Sequence, residues 1–329
     1  MENSIRNEQR TTPDTEWQPR PELKQAMQKI ASIAADDDTA VVSDREITFN
    51  NFGHRTSITA SEVDLVTTDG HRISERIDIC TQLPEVFSEM SDTQIALGNT
   101  LATTGAMVRY PDNRPAMLVS TLPVFETDTV ALADLYTPLV AYAALTQILG
   151  PMGMVRFFDD GQDMTPKDIG LQHWDAPSFW DAGEFEYAEP MMRRAGIYCN
   201  AGERGLTAEI PWDADAVSAI QGDRTSLLTF VADMQHPVAG NGLFYKLELP
   251  LLFDTDELAG LANDLNVFET SGVDVPPFFG AWCGQISSGS LSHVGFWPNG
   301  MFMRGTVANI ASWCMLRSRL ARQFVGNKL

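Results

Sequence analysis

Histidine and cysteine side chains are the first candidates for chemistry in this chain. His236 and His293 lie on predicted strands that we expect to be close together, and with Cys199, Cys283 or Cys314 they could form a zinc site. With nearby acidic residues, the same two histidines define an alternative function, a hydrolase or a metal-dependent enzyme. The scattered spacing of these residues favours isolated core or edge positions. We therefore predict no metal site.

Serine and glycine motifs typical of enzymes are also missing. Ser288 and Ser290 lie near His293 in the sequence, but neither occurs in the GxSxG turn that presents a nucleophilic serine. Gly240-Asn241-Gly242 is not followed by the lysine and hydroxyl residue of a phosphate-binding loop, so a hairpin is the better interpretation. We predict no catalytic residue and no cofactor.

An acidic segment and a fourth cysteine complete the set of reactive side chains. The acidic residues are Asp159, Asp160, Asp163 and Asp168. They could attract a divalent cation, although a solvated connector is the ordinary explanation for such a segment. Cys80 is as isolated as the other cysteines, and no CxxC spacing occurs, so we predict free buried thiols.

Aromatic residues and methionines near the C-terminus are the strongest functional candidates, because they suit the gripping of apolar side chains of a partner. The candidates for partner binding are Trp282, Trp297, Trp313, Met301 and Met303. Strand alternation within 292–297 puts Val294 and Phe296 on one face and Trp297 on the other. If helices cover Val294 and Phe296, Trp297 points to the open face. There it would contact the other half of the chain or an external partner.

Length and charge limit the class of protein. The chain has 329 residues, enough for two domains. The formal net charge is −21 with only 23 basic residues, so a phosphate backbone would be repelled and we predict no nucleic-acid partner. With 44% apolar and 20% charged residues the composition is that of a globular protein, so we predict no membrane partner. The N-terminal residues lack the layout of a secretory signal, so we expect a cytoplasmic protein.

The predicted strands and helices that position these residues occur in the same order in both halves of the chain. Arg55-Thr56-Ser57 begins a strand-like series in the first half, and Arg224-Thr225-Ser226 begins the same series in the second. Leu83-Pro84 and Leu249-Pro250 occupy matching places later in each series. The offset between the copies drifts by only a few residues, which is typical of one duplicated domain with small insertions and deletions.

Each copy is predicted to run approximately β-β-β-α-β-β-α, which defines an α+β fold. We expect two tandem copies of an antiparallel sheet of about five strands, covered on one face by helices. The predicted layout is a flexible N-terminal arm at 1–20, a first domain at 21–149, a connector at 150–190 and a second domain at 191–329. Asn99 and Asn263, a matched pair late in the first long helix of each copy, are interpreted as C-cap or buried turn residues.

Four segments of the second copy carry a resemblance to a known superfold. They are Gly242-Leu243 with Leu247-Glu248-Leu249-Pro250, Leu261-Ala262-Asn263-Asp264-Leu265-Asn266, Phe279-Gly280-Ala281-Trp282, and Val294-Gly295-Phe296-Trp297-Pro298-Asn299 before the helix with Trp313. On these residues the chain resembles the type III secretion chaperone-like superfold, in particular YbjN-like and TY-Chap domains in tandem. The resemblance covers about residues 195–325 well and residues 40–149 more loosely. It implies a binding protein and supplies no catalytic residue.

These observations predict a non-enzymatic, chaperone-like or regulatory protein. It would bind a protein or peptide through an open sheet face or through the groove between the two copies. The oligomeric state stays open, because two copies in one chain could already form an intramolecular pseudo-dimer. The enzyme built on His236 and His293 is the alternative.

Overall fold

The structure is a computed structural model that describes residues 17–34, 40–125 and 179–328, with short gaps. The gaps are residues 44, 52–53, 67–71, 101–102, 112–113, 212–224, 237–239, 250–253, 272–278, 286–289, 300–301 and 303. Several predictions lie outside the described residues. They are most of the N-terminal arm, the helix predicted at 130–149 as the last element of the first copy, most of the connector with its acidic segment from Asp159 to Asp168, and the candidates Met301 and Met303.

The first sheet unit, residues 17–125, consists of one antiparallel sheet and two helices. Its elements are α1 (Pro21–Ala34), β1 (Val41–Val42), β2 (Glu46–Asn51), β3 (His54–Val66), β4 (Arg72–Gln82), a 3₁₀ turn (Glu85–Ser88), α2 (Asp92–Asn99), β5 (Ala106–Val108) and β6 (Met117–Phe125). The strand order is β1-β2-β3-β4-β6-β5. Helix α2 begins at a capping box, in which Ser91 and Gln94 each accept a hydrogen bond from the backbone N–H of the other.

The second sheet unit, residues 179–328, repeats this order strand for strand. Its elements are α3 (Ala182–Arg194), β7 (Tyr198–Gly202), β8 (Gly205–Pro211), β9 (Thr225–His236), β10 (Gly240–Leu249), α4 (Thr255–Ser271), β11 (Ala281–Gln285), β12 (Ser290–Pro298) and α5 (Thr306–Lys328). The strand order is β7-β8-β9-β10-β12-β11. The predicted α+β fold with two antiparallel sheets is therefore confirmed, with six strands in each sheet. In the first sheet the additional strand is β1, which is too short to show alternation.

Helix α3 differs from the sequence-based prediction, which places a connector through residue 190. The Asp181 side chain caps the helix by accepting a hydrogen bond from Glu184 N at 3.3 Å. The helix buries an apolar stripe of Phe185, Ala188 and Met192. Pro190 lies within α3, and an internal proline is a sequence signal against a helix because it removes an N–H donor. The predicted boundary at residue 190 therefore falls inside a helix that is the counterpart of α1.

One asparagine in each unit ties the long helix to an edge strand. Asn99 Nδ2 donates to Met107 O at 3.0 Å, and Met107 N donates to Asn99 Oδ1 at 2.7 Å. Asn266 makes the same two hydrogen bonds with Trp282, at 2.9 and 2.8 Å. The structural counterpart of Asn99 is therefore Asn266. The sequence-based match with Asn263 is wrong by about one helical turn.

Asn263 instead joins the two sheet units. Arg109 N donates to Asn263 Oδ1, and Asn263 Nδ2 donates to Arg109 O, both at 3.3 Å. Phe296 N donates to Thr103 O at 2.8 Å, which brings the first unit alongside β12. Helix α2 packs against α4 and β11, and α4 also reaches β5. The two units thus meet through α2, α4 and their edge strands. Of the helices that the structure describes, none combines the length and apolar composition needed to cross a membrane.

Candidate binding surface

The three predicted tryptophans lie in the interior of the second sheet unit. Trp282, Trp297 and Trp313 expose 0%, 5% and 8% of their surface. Trp297 stacks on Trp313 of α5 with ring centroids 6.2 Å apart, and Phe279 packs against Trp297 at 5.0 Å. Met301 and Met303 were predicted together with these tryptophans, and both lie outside the described residues. The structure therefore places the three indole rings among core side chains.

The helices cover the face of β12 that carries Trp297. Its stacking on Trp313 of α5 shows that Trp297 points toward the helix layer. Val294 and Phe296 lie on the other face and are buried as well, with Phe296 packed against His236 at 5.0 Å. Alternation determines which residues share a face, but it does not determine which face the helices cover. The expectation of an outward-pointing Trp297 is therefore corrected.

A buried charge pair holds Trp282 in this core. Trp282 Nε1 donates to Glu269 Oε1, and Arg317 Nε donates to Glu269 Oε2, each at 2.7 Å. Both members of the ion pair are almost completely buried. Desolvation by burial raises the pKa of the Glu269 carboxyl, although Arg317 opposes the shift. The cluster joins α4, β11 and α5 and is structural in character.

His293 belongs to the same interior. Its ring stacks on Tyr245 at 5.8 Å and meets the edge of Trp282 at 5.3 Å. The Tyr245 hydroxyl donates to Phe279 O at 2.9 Å and lies 3.2 Å from His293 Nδ1. Burial, assisted by the positive charge of Arg317, holds the pKa of His293 well below its usual value. The imidazole is therefore neutral at pH 7 and packs as a core ring.

The structure does not bring the two predicted histidines together. His236 and His293 pair with Gly240 and Leu247 of β10, which are about 20 Å apart along the strand. His236 packs on Phe296, on the face away from the helices, whereas His293 lies on the face that the helices cover. Within the described ranges, no group of three or more histidine, cysteine, aspartate or glutamate side chains could hold a metal ion. The pair on which the alternative enzyme was based is therefore separated.

The four cysteines are free and mostly buried, as predicted. Desolvation by burial raises the pKa of the Cys80, Cys283 and Cys314 thiols to about 12. It also raises the pKa of Cys199. Because the thiolate is the reactive form, these side chains are poor nucleophiles at neutral pH.

The open surface of the second unit is the sheet face on the side away from the helices, from β7 to β10. Tyr198, Glu209, Leu227 and Glu248 are cross-strand neighbours in one row on this face. Tyr198 is 73% exposed and Leu227 is 44% exposed. The row ends at Glu248, which accepts a hydrogen bond from Ser290 Oγ at 2.8 Å. The exposed Tyr198 and Leu227 thus flank the exposed carboxylate of Glu209.

The neighbouring row on this face is polar. It consists of Asn200, Thr207, Thr229 and Lys246. Lys246 pairs with Glu248 of the first row at 2.6 Å. On the opposite, helix-covered face, the same strands bury Leu206, Ala208, Leu228, Phe230 and Leu247. The sheet therefore has one sealed face and one mostly polar face that carries two exposed apolar side chains.

Strand β7 is the edge of this sheet and pairs with β8 as its one strand neighbour among the described residues. An edge strand presents backbone N–H and C=O groups to which another extended chain can add. One of these groups, Cys199 O, accepts a hydrogen bond from Arg193 Nη2 at 3.1 Å. The exposed Tyr198 lies at the start of this edge. We define the outer surface of β7, β8 and β9 with this edge as the β7 surface.

Sequence reasoning did not select Tyr198 or Leu227. Leu227 is followed by Leu228, and two adjacent apolar residues in a strand point to opposite faces, so the sequence cannot tell which one is exposed. Tyr198 stands between Ile197 and Cys199, and this short apolar run does not show which of its side chains is exposed. The matching alternation of Thr207 and Glu209 with buried Leu206 and Ala208 was the signal that could have located the open face.

Comparison with protein-family models, with curated proteins and with solved structures finds no match for this chain. The resemblance to the type III secretion chaperone-like superfold therefore stays a prediction.

Proposed function

We propose that this protein is a non-enzymatic binding protein that holds a peptide or an extended segment of a partner protein on its β7 surface. The partner adds to the edge of β7 through backbone hydrogen bonds, and its apolar side chains contact Tyr198 and Leu227. This role agrees with the function that the superfold resemblance implies.

The observation that carries the proposal is the exposure of Tyr198 and Leu227 on one face beside an open strand edge. Tyrosine is enriched at protein interfaces because its ring buries a large area and its hydroxyl can still donate a hydrogen bond. The net charge of −21 further favours encounter with a basic segment.

A peptide selection tests the proposal directly. A random peptide library is panned on the immobilised full-length chain, and binding of the selected peptides is measured by fluorescence anisotropy. The double variant Tyr198→Ala/Leu227→Ser should weaken their binding by about tenfold or more, because exposed apolar anchors dominate small interfaces.

The matched control is Leu97→Ser, which removes an apolar side chain of α2 that is 54% exposed. This variant should bind the selected peptides as tightly as the wild-type chain does. Equal binding by the double variant, or the recovery of no peptide that binds in solution, would refute the β7 surface as the binding site.

A further inference from the structure

A cavity of about 430 Å³ lies between α3 and the first turns of α5. Its apolar wall is formed by Met191, Met192 and Ala308. Its polar wall includes Arg194, Arg304 and Asn309. The volume falls within the range of about 300–1,000 Å³ that is typical of small-ligand sites.

The two arginines give this cavity a positive charge in a strongly acidic chain. The neighbouring Arg193 differs from these two arginines, because it forms an ion pair with Glu189. No described carboxylate forms an ion pair with Arg194 or Arg304. The guanidinium of Arg304 lies 4.6 Å from the ring centroid of Tyr187, which restricts its position through a cation–π contact. A guanidinium held in this way is suited to planar recognition of a carboxylate.

The start of α5 does not itself provide the anion site. The Glu184 carboxylate accepts hydrogen bonds from Gly305 N at 2.9 Å and from Val307 N at 3.2 Å. Two N–H groups at the start of the helix, together with the positive end of the helix dipole, therefore already face a carboxylate. An added anion depends on the arginines, and it must approach Arg304 despite the negative charge of Glu184.

Asn309 supplies a second polar contact. Its side-chain oxygen is shielded from solvent and accepts no hydrogen bond from the described residues. Leaving a buried polar atom without a partner is unfavourable, and a turn of the Asn309 side chain toward the cavity would let a ligand N–H group donate to it. A ligand that contacts the arginines, Asn309 and the apolar wall thus has a carboxylate, an amide N–H and an apolar side chain.

We propose that the cavity between α3 and α5 binds a small carboxylate of the N-acylated amino-acid type. The carboxylate lies between Arg194 and Arg304, the amide N–H donates to Asn309 Oδ1, and the apolar side chain packs against the methionines. This site is separate from the β7 surface, so either proposal can fail without affecting the other.

Isothermal titration with N-acetyl-leucine and with its uncharged amide tests this site. The full-length chain should bind N-acetyl-leucine with a dissociation constant of about 1 mM or tighter, and the amide at least about tenfold more weakly. The double variant Arg194→Gln/Arg304→Gln should lose about tenfold or more in affinity for the acid and leave the weak binding of the amide unchanged.

The control variant Arg204→Gln removes the same kind of charge from an exposed arginine that pairs with Asp233 elsewhere in the unit. It should bind N-acetyl-leucine as the wild-type chain does, and circular dichroism of all variants checks their folding. Three results would overturn the proposal: no binding of the acid, equal binding of the acid and the amide, or equal binding by the double variant and the control. If the double variant does not fold, Asn309→Leu replaces it. Undiminished acid binding by that variant would also overturn the proposal.

Discussion

Glu269 is a carboxylate in the centre of the second sheet unit, and each of its oxygens accepts one hydrogen bond from a buried donor. Removing such a charge from water costs several kcal/mol unless an opposite charge and good geometry compensate for it. Arg317 supplies that charge, and Trp282 supplies the second donor. The sequence did not single out Glu269 or Arg317, because charged residues in amphipathic helices usually face solvent.

Replacement of Arg317 by methionine should lower the free energy of unfolding at pH 7 by about 3–5 kcal/mol, because Glu269 would stay buried without its countercharge. Urea denaturation followed by tryptophan fluorescence measures the change. The double variant Arg317→Met/Glu269→Leu should recover much of the loss, and the exposed Arg319→Met should change stability by less than about 0.5 kcal/mol. If Arg317→Met is as stable as the wild-type chain, the ion pair with Glu269 contributes nothing to the free energy of unfolding.

The same variant should depend on pH in a defined direction. Burial raises the pKa of Glu269 in the folded chain, and removal of Arg317 removes the charge that opposes this shift. A group with a raised pKa in the folded state stabilises the fold below its unfolded pKa, and this contribution is lost as the pH rises through the folded pKa. Arg317→Met should therefore be more stable relative to the wild-type chain at about pH 5 than at about pH 8.

At the scale of the elements, the two asparagine clamps explain how short edge strands are held. Strand β5 has only three residues, Ala106–Val108, yet it stays paired with β6 because Asn99 bonds both backbone groups of Met107. The equivalent clamp from Asn266 holds β11 through Trp282. A buried side-chain amide thus replaces the missing strand neighbour on the outer side of each sheet.

Replacement of Asn266 by alanine should lower the free energy of unfolding by about 2–4 kcal/mol, because the buried N–H and C=O groups of Trp282 both lose their partner. Urea denaturation measures the loss. Asn200→Ala, on the exposed face of β7, should change stability by less than about 0.5 kcal/mol. Similar curves for the two variants would contradict the proposed importance of the clamp.

At the scale of the whole molecule, the two units meet as related halves, with α2 against α4 and Asn263 bonded to the backbone of Arg109. This arrangement fits an intramolecular pseudo-dimer. Thr103 and Phe296 add a backbone hydrogen bond between the units. None of these contacts requires the covalent link between residues 125 and 179.

Co-expressed fragments 1–178 and 179–329 should therefore associate into a one-to-one complex. Size-exclusion chromatography with light scattering would give the mass of the intact chain, 36.3 kDa. Asn263→Ala in the second fragment should weaken the complex by about tenfold, because two hydrogen bonds between the units are lost. Separate elution of the wild-type fragments would show that the interface depends on the connecting chain.

The sequence by itself determined the duplicated plan, the α+β class and most strands, because strand alternation and turn residues are local signals that survive in each copy. Tertiary structure alone decided which face of β12 the helices cover, since an alternating pattern is symmetric between its two faces. It also decided that α3 forms despite Pro190, and that Asn266 rather than Asn263 matches Asn99. Packing and hydrogen bonds between distant residues settle each of these points, and no single stretch of sequence contains both partners.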